Sequence, residues 1–397
     1  MDEPERGTIP KAIREVYSQM LSPESPSETI HPLLYEKIVH ECADKLVAEL
    51  KGHLELLRSS LEMCRSQVEV ESIGDKNASE ENIRLVASDA GNKGVDLRMG
   101  FLPLCAATAI VTEGWEIKET PLCSIPEEAE VWSNEAWLPQ RESLLTFKLQ
   151  FEVTRRGVEK YKPKLALVDG SLALHPRLKE LEAKGSQGFK KDYSEAVEEA
   201  VKMLRTCYKA GIPVVGFVKR TRTNIIARKL RLDKVRDTAL LNFILMPGCY
   251  TKPLREQENP KFMEVISDYK KKAIALGLTS KEVEDITDLY TAYIRTGYYT
   301  PFRLEFPRYC LNALPWVASV LYSTAYEDGV PFAIREVDQL TKISYEVSNL
   351  RTLAIYSRAM ELVKKGELTP EELEVFALQF GELWALRDMG LGRGHSE

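Results

Sequence analysis

The succession of apolar runs and amphipathic segments between residues 83 and 219 most strongly constrains the fold. Run lengths and periodicities separate strands, which have period two or are short and apolar, from helices with period 3.6. In chain order the predicted elements are strands IRLVASD (83–89), GFLPLCAATAIVTEG (100–114) and GWEIKET (114–120), helix QRESLLTFKLQFEVTRRGVEKY (140–161), strand KLALVD (164–169), helix SEAVEEAVKMLRTCYKAG (194–211) and strand IPVVGFVK (212–219). This order, β-β-β-α-β-α-β, predicts an α/β domain with a mixed sheet flanked by helices.

The segments around this region set the predicted domain organisation. Residues 1–80 are expected to form an N-terminal helical extension, because leucines recur at helical spacing within 33–70. The core is expected to span 81–350, with a mainly helical insertion at 220–297, and residues 351–397 are expected to form a C-terminal helical segment. Within the insertion, TSKE (279–282) has the spacing of a helix-capping box.

Composition excludes several classes of protein. No stretch approaches the roughly 20 apolar residues of a membrane span, and the polar N-terminus lacks the apolar region of a signal peptide, so a cytoplasmic location without membrane contact is expected. The 7 cysteines are scattered and the 5 histidines form no HxxxH pair. A disulfide framework or a zinc site is therefore disfavoured, and carboxylates would have to hold any metal ion.

The element order resembles the RNase H-like fold, whose enzymes keep acids on the first strand, on the first helix, at the end of the fourth strand and often on a late helix. This chain has an acid at each place: Asp89, Glu152, Asp169 and Asp338. Glu142 is the alternative on the first helix. Singly, each acid is equally typical of a turn or a solvated helix face.

Together the four acids predict a catalytic metal centre. Mg²⁺ and Mn²⁺ prefer carboxylate oxygens and keep positions open for water and phosphate. Two such ions about 4 Å apart can activate a water and stabilise the leaving oxygen of a phosphodiester. The scarcity of histidine and cysteine clusters is consistent with that chemistry.

A basic strip follows the last predicted strand of the core. From Lys219 to Arg236 there are eight basic residues and one acid, Asp233, although the whole chain carries a net charge of −6. Such a strip can bind phosphate backbones, and it can equally be a solvated helix face. The aromatic residues Tyr298, Tyr299 and Phe302 are candidates for stacking on bases, with core packing as the alternative.

Several strings, in order, resemble the NurA nuclease family: IRLVASDAG, LALVDGSL, IPVVGFVKRTRT, PFRLEFP and EDGVPFAIREVDQLTKIS. They run from about residue 83 to about residue 345. The resemblance implies an RNase H-like nuclease dependent on Mn²⁺, with Mg²⁺ as a possible substitute. It implies a 5′→3′ exonuclease that also cuts single-stranded DNA, forms a homodimer and works with the hexameric ATPase HerA in DNA-end resection and break repair.

The resemblance also assigns residue roles. It implies that Asp89, Glu152 and Asp169 are metal ligands, and we expect Lys219, Arg220 and Arg222 to contact the DNA backbone. Some relatives carry a Tyr and a His in the last motif, where this chain has Val330 and Asp338. Aspartate can replace histidine as a ligand, whereas the Tyr has no evident substitute.

Two other interpretations remain open. One is a catalytically silent RNase H-like subunit that binds DNA or acts as a scaffold, which the missing Tyr and His favour. The other is a different RNase H-like phosphotransferase, such as a resolvase or transposase subunit. The second shares the metal chemistry but does not account for GFVKRTRT.

Overall fold

The computed structural model describes residues 42–74, 82–127, 130–133, 135–255, 259–373 and 376. The chain divides into two compact units, residues 1–60 and 61–397. The described part of the first unit, residues 42–60, belongs to helix α1 (Cys42–Gln67). The central sheet belongs to the second unit.

Eleven strands form the central sheet, in the order β1-β10-β12-β13-β9-β8-β2-β5-β6, with β11 beside β12 and β7 beside β5; β3 and β4 form a separate pair. The strands are β1 (Val70–Ser72), β2 (Arg84–Asn92), β3 (Val95–Leu97), β4 (Gly100–Leu102), β5 (Cys105–Glu113), β6 (Glu116–Ile117), β7 (Leu122–Ser124), β8 (Leu165–Asp169), β9 (Val214–Val218), β10 (Cys249–Thr251), β11 (Leu254–Arg255), β12 (Leu289–Arg295) and β13 (Phe302–Pro307).

The half of the sheet from β5 to β9 combines parallel and antiparallel pairs, as expected of a mixed sheet. Strand β2 pairs antiparallel with β5 and parallel with β8, and β8 pairs parallel with β9. The carboxyl ends of β2, β8 and β9 therefore lie at one edge, where α/β proteins usually place their ligands. The prediction of a mixed α/β fold with a sheet flanked by helices is confirmed.

Helices cover both faces of the sheet. The described helices of the second unit are α2 (Leu138–Tyr161), α3 (Pro176–Glu182), α4 (Gln187–Ala210), α5 (Ile225–Lys229), α6 (Asp237–Leu241), α7 (Pro260–Ala275), α8 (Ser280–Thr287), α9 (Leu314–Ser323), α10 (Phe332–Thr341), α11 (Tyr345–Lys364) and α12 (Pro370–Leu373). Alternate residues of β2 and β8 face α2 and α4 on one side and α9 and α10 on the other, so each face has its own apolar core. The predicted capping box of α8 is present.

The structure differs from the expected boundaries in three places. Strand β2 continues past Asp89 to Asn92, because Ala90, Gly91 and Asn92 still pair with β5. Residues 220–297, expected to be mainly helical, also contain β10, β11 and β12, which extend the sheet. The apolar string YCLNALPWVASVLYSTAYEDG (309–329) predicts one continuous helix, whereas the structure has a 3₁₀ turn, Arg308–Ala313, followed by α9.

Two further expectations bear on the ends of the chain. Residues 1–41 and most of 374–397 lie outside the described residues, so the full N-terminal and C-terminal helical segments stay predictions. No helix in the described ranges is long and apolar enough to cross a membrane.

Candidate metal centre

Three aspartates meet at the carboxyl edge of the parallel strands. Asp89 lies on β2, Asp169 is the last residue of β8, and Asp338 lies on α10. One carboxylate oxygen from each lies within 4.8 Å of the other two, and this is the one group of potential metal ligands found among the described residues. Three of the four acids predicted from the sequence are thus brought together.

Backbone geometry brings these side chains together. In the parallel pairing of β2 with β8, Ser88 lies opposite Val168, so the next residues, Asp89 and Asp169, are neighbours on the same face of the sheet. Helix α10 packs on that face. It can approach closely because β2 has a glycine at 91: a Cβ there would lie 2.9 Å from the carbonyl oxygen of Thr341.

Lys219 provides the positive charge of the cluster. Its ammonium nitrogen lies 2.6 Å from Oδ2 of Asp169 and 2.7 Å from Oδ1 of Asp338. Lys219 follows β9, whose carboxyl end lies beside that of β8. The ammonium group therefore lies where a bound cation would also be attracted, and the next basic residue, Arg220, is exposed to solvent.

Burial and repulsion make the cluster costly to ionise. Burial raises the pKa of Asp89 from 3.8 to about 7, and the nearby Asp169 carboxylate adds to the increase. Burial also raises the pKa of Asp169, to about 6, although Lys219 opposes the increase. Perturbed carboxylates that face one another are typical of functional sites. A divalent cation would relieve this electrostatic cost by binding the ionised forms.

The loop after Asp169 is held by a buried carboxylate that the sequence analysis missed. Oε2 of Glu305, on β13, accepts hydrogen bonds from Oγ of Ser171 at 2.5 Å and from the backbone N–H of Leu172 at 2.9 Å. Oε1 of Glu305 lies 2.6 Å from Nη2 of Arg303. Glu305 lies in the string PFRLEFP. The sequence does not show that it reaches the loop DGSL (169–172); that follows from the pairing of β13 with β9.

Glu152 does not join the three aspartates. Its carboxylate lies 3.5 Å from Nη1 of Arg156, one turn along α2, and its side chain is 29% exposed. The alternative, Glu142, is buried and accepts a hydrogen bond from the N–H of Leu104 at 3.0 Å. Gln150 of α2 instead contacts the backbone at both aspartates: its Nε2 donates to the carbonyl oxygens of Ser88 at 3.2 Å and Asp169 at 3.0 Å.

The basic strip begins beside the aspartates. Lys219 is part of the cluster, and Arg220 and Arg222 have exposed side chains. Among the aromatic candidates, Tyr298 and Tyr299 are 77% and 46% exposed, whereas Phe302 is 4% exposed and packs in the core. The two tyrosines remain available for stacking, and Phe302 has the packing role.

A second buried carboxylate orders the strip. Asp237 is fully buried; it accepts hydrogen bonds from the backbone N–H groups of Ile225 and Ala227 at 2.7 and 2.8 Å. The Tyr293 hydroxyl also donates to it, at 2.5 Å. Asp237 therefore fixes helix α5 relative to β12, and so fixes the backbone between the basic residues.

The donor set at the cluster fits a hard divalent cation. All three potential ligands are carboxylates, which Mg²⁺ and Mn²⁺ prefer over nitrogen or sulfur. The ligands come from two strands and a helix, so the site depends on the folded sheet. One side of the site is open, because the Asp338 side chain is 51% exposed, which leaves room for a ligand from solvent.

Fold and site together define a mixed α/β protein with an aspartate cluster at the carboxyl ends of its central parallel strands. The NurA domain family model matches residues 86–343, which is more than half of the chain, and the chain belongs to that family. The predicted family resemblance is therefore confirmed. None of the curated proteins is a significant match to the sequence.

Solved structures agree on the fold. The NurA nuclease from Sulfolobus solfataricus is similar, with a TM-score of 0.57 at 15% identity, over 82% of this chain and 98% of that one. A NurA structure bound to dAMP and manganese has a TM-score of 0.51 at 11% identity, over 78% and 94% of the two chains. A NurA structure with manganese has a TM-score of 0.52 at 11% identity, over 80% and 98%.

Proposed function

We propose that this protein is a metal-dependent DNA nuclease whose metal ligands are Asp89, Asp169 and Asp338. The observation that carries the proposal is the convergence of the three carboxylates within 4.8 Å at the edge of the sheet. Membership of the NurA domain family supports it, as does the likeness to NurA structures that contain manganese. Mn²⁺ is the proposed cofactor, and Mg²⁺ is its expected substitute.

The chain's own residues divide the work at this site. The three aspartates hold the cation, which when bound would polarise the scissile phosphate and lower the pKa of an attacking water in a two-metal hydrolysis. Lys219 neutralises part of the carboxylate charge, and its ammonium lies close enough to the site to donate a hydrogen bond to a bound phosphate. Arg220 and Arg222, both exposed, offset the charge of the DNA backbone.

We also propose the biological setting that the family resemblance implies. The enzyme would act as a 5′→3′ exonuclease and single-strand endonuclease in DNA-end resection and break repair, in the cytoplasm, together with a HerA-type hexameric ATPase. DNA labelled at one end at a time tests the polarity. Release of a 5′ label as mononucleotide while most of the DNA is still nearly full length supports 5′→3′ digestion. Release of the 3′ label first would contradict it.

A homodimer is the proposed assembly. Helix α11 carries an apolar stripe that is exposed in the isolated chain, and its spacing of three or four residues places the stripe on one face of the helix. The stripe consists of Val347 (52% exposed), Leu350 (65%), Leu353 (48%), Tyr356 (39%) and Met360 (38%). Light scattering after size-exclusion chromatography should give twice the 45.0 kDa chain mass, and a monomeric mass for Leu350→Glu would place the interface here.

The nuclease proposal is tested with end-labelled single-stranded and duplex DNA in Mn²⁺, Mg²⁺ or EDTA. Cleavage should require a divalent cation and be lost in Asp169→Asn and Asp338→Asn. Asp96→Asn, at the exposed position of strand β3, is the matched control and should keep full activity. A wild-type protein that binds DNA without cleaving it, even with an ATPase partner, would favour the silent-subunit alternative.

A further inference from the structure

Gln150 lies behind the metal centre and joins the two strands that carry Asp89 and Asp169. Helix α2 packs on the face of the sheet opposite α10, and the Gln150 side chain reaches the strand ends from that side. Its Nε2 donates to the carbonyl oxygens of Ser88 at 3.2 Å and Asp169 at 3.0 Å. The residue is only 8% exposed, so its amide group is a buried and fully committed donor.

These two hydrogen bonds act directly on the backbone of the ligands. The Ser88 carbonyl shares a peptide group with the nitrogen of Asp89, and the second acceptor belongs to Asp169 itself. A neighbouring contact reinforces the arrangement: Oγ1 of Thr154, one turn along α2, lies 2.6 Å from Oγ of Ser88. The amide of Gln150 thus links the two strands where they carry Asp89 and Asp169, and helps to set the separation of the two carboxylates.

Gln150 is also neutral, whereas the sequence led us to expect an acid on this helix as an additional ligand. Residues 150 and 152 point about 200° apart on a helix, since successive residues turn by about 100°. Glu152 accordingly points to Arg156 and leaves this position to Gln150. The cluster therefore has three carboxylates and the Lys219 ammonium, a formal charge of −2 when all are ionised, which one divalent cation balances.

We propose that Gln150 is a positioning residue that leaves this centre with one resident divalent cation, and that a second cation binds only together with a nucleic-acid phosphate. The inference rests on the proposed nuclease function. The phosphate supplies the additional anionic oxygens that a second hard cation needs. Gln150 itself touches neither cation; it holds the aspartates at the spacing that suits the first.

Mn²⁺ binding to the full-length protein tests this without an activity readout. Electron paramagnetic resonance and calorimetric titration should give one bound Mn²⁺ per chain in the absence of nucleotide. Addition of a deoxynucleoside 5′-monophosphate, which has a phosphate but no phosphodiester to cleave, should raise this to two and broaden the spectrum through coupling between adjacent ions. Two tightly bound ions without nucleotide, or one ion with it, would overturn the proposal.

Variants of Gln150 test separately whether it limits the number of resident cations and whether it positions the aspartates. Gln150→Glu should bind a second Mn²⁺ without nucleotide, whereas Gln187→Glu, an exposed change at the start of α4, should still bind one. Gln150→Ala should weaken binding of the resident ion by about 10- to 100-fold, which is typical when a group that orients metal ligands is removed. Thermal melting establishes that each variant is folded.

The outcomes of these experiments distinguish a failure of the Gln150 proposal from a failure of the proposed nuclease function. If Gln150→Ala binds Mn²⁺ as tightly as wild type and Gln150→Glu still binds one ion, Gln150 does not position the ligands and the inference is wrong. A protein that cleaves DNA with two resident ions defeats only the inference. A protein that neither binds Mn²⁺ nor cleaves DNA defeats the proposed function as well.

Discussion

Replacement of Asp89 by asparagine is expected to stabilise the metal-free protein at pH 8 while abolishing cleavage. The folded state raises the pKa of Asp89 from 3.8 to about 7, so between these values it binds more protons than the unfolded state. The contribution of protonated Asp89 to the free energy of unfolding is therefore fully present below the pKa of the unfolded state. It is lost as the pH rises through the pKa of the folded state. Asparagine has nearly the same shape and cannot ionise, so the variant escapes this loss.

The magnitude follows from the size of the pKa change. One pKa unit corresponds to about 1.4 kcal/mol, so full ionisation of Asp89 costs the folded protein on the order of 4 kcal/mol. The gain for Asp89→Asn should therefore be on the order of 4 kcal/mol at pH 8 and shrink to about 1 kcal/mol near pH 4.5, where the folded wild-type group is largely protonated.

The assay is urea unfolding in EDTA at several pH values between 4.5 and 8. Asp96→Asn, which replaces an exposed aspartate, should stay within about 0.5 kcal/mol of wild type at every pH. Addition of Mn²⁺ at about 100 times its dissociation constant should stabilise wild type by about 2.7 kcal/mol and leave Asp89→Asn nearly unchanged. An Asp89→Asn protein less stable than wild type at pH 8, or a gain that does not depend on pH, would refute the electrostatic reasoning.

Four further substitutions test the residues that support the site. Asp237→Ala leaves the buried N–H groups of Ile225 and Ala227 without an acceptor and should cost about 2–4 kcal/mol in urea unfolding. Tyr293→Phe should cost about 1 kcal/mol, and equal losses would contradict the role of Asp237. Glu305→Gln breaks the ion pair with Arg303 and should cost about 3 kcal/mol, with Mn²⁺ affinity falling about 10-fold in calorimetry. Lys219→Met should tighten Mn²⁺ binding, because the ammonium no longer competes for two carboxylates; unchanged Mn²⁺ affinity would show that the ammonium does not compete. The same variant should reduce the slope of log binding constant against log salt concentration for DNA by about 1, the value for one phosphate contact.

The sequence was most informative where local pattern determines local structure. Alternating and continuous apolar runs placed the strands and helices of the core, and their order alone predicted a mixed sheet flanked by helices. Asp169 could be singled out because the string LALVDGSL places a carboxylate at the end of a buried strand, and the same strings carried the family resemblance. The boundary of β2 could not be read in this way, because its last residues are held by pairing with β5.

Tertiary structure decided which side chains share the site. The helical pattern of α2 shows which residues share a face with the leucines. It does not show whether Gln150 or Glu152 contacts the backbone beside Asp89 and Asp169. That depends on how the helix is rotated against the sheet. Likewise Lys219 could be predicted to meet phosphate, but its position between Asp169 and Asp338 depends on strands and a helix far apart in the chain. Local patterns follow from neighbours in sequence, whereas the geometry of a metal centre follows from packing between elements, because the free energy that fixes it comes from long-range contacts.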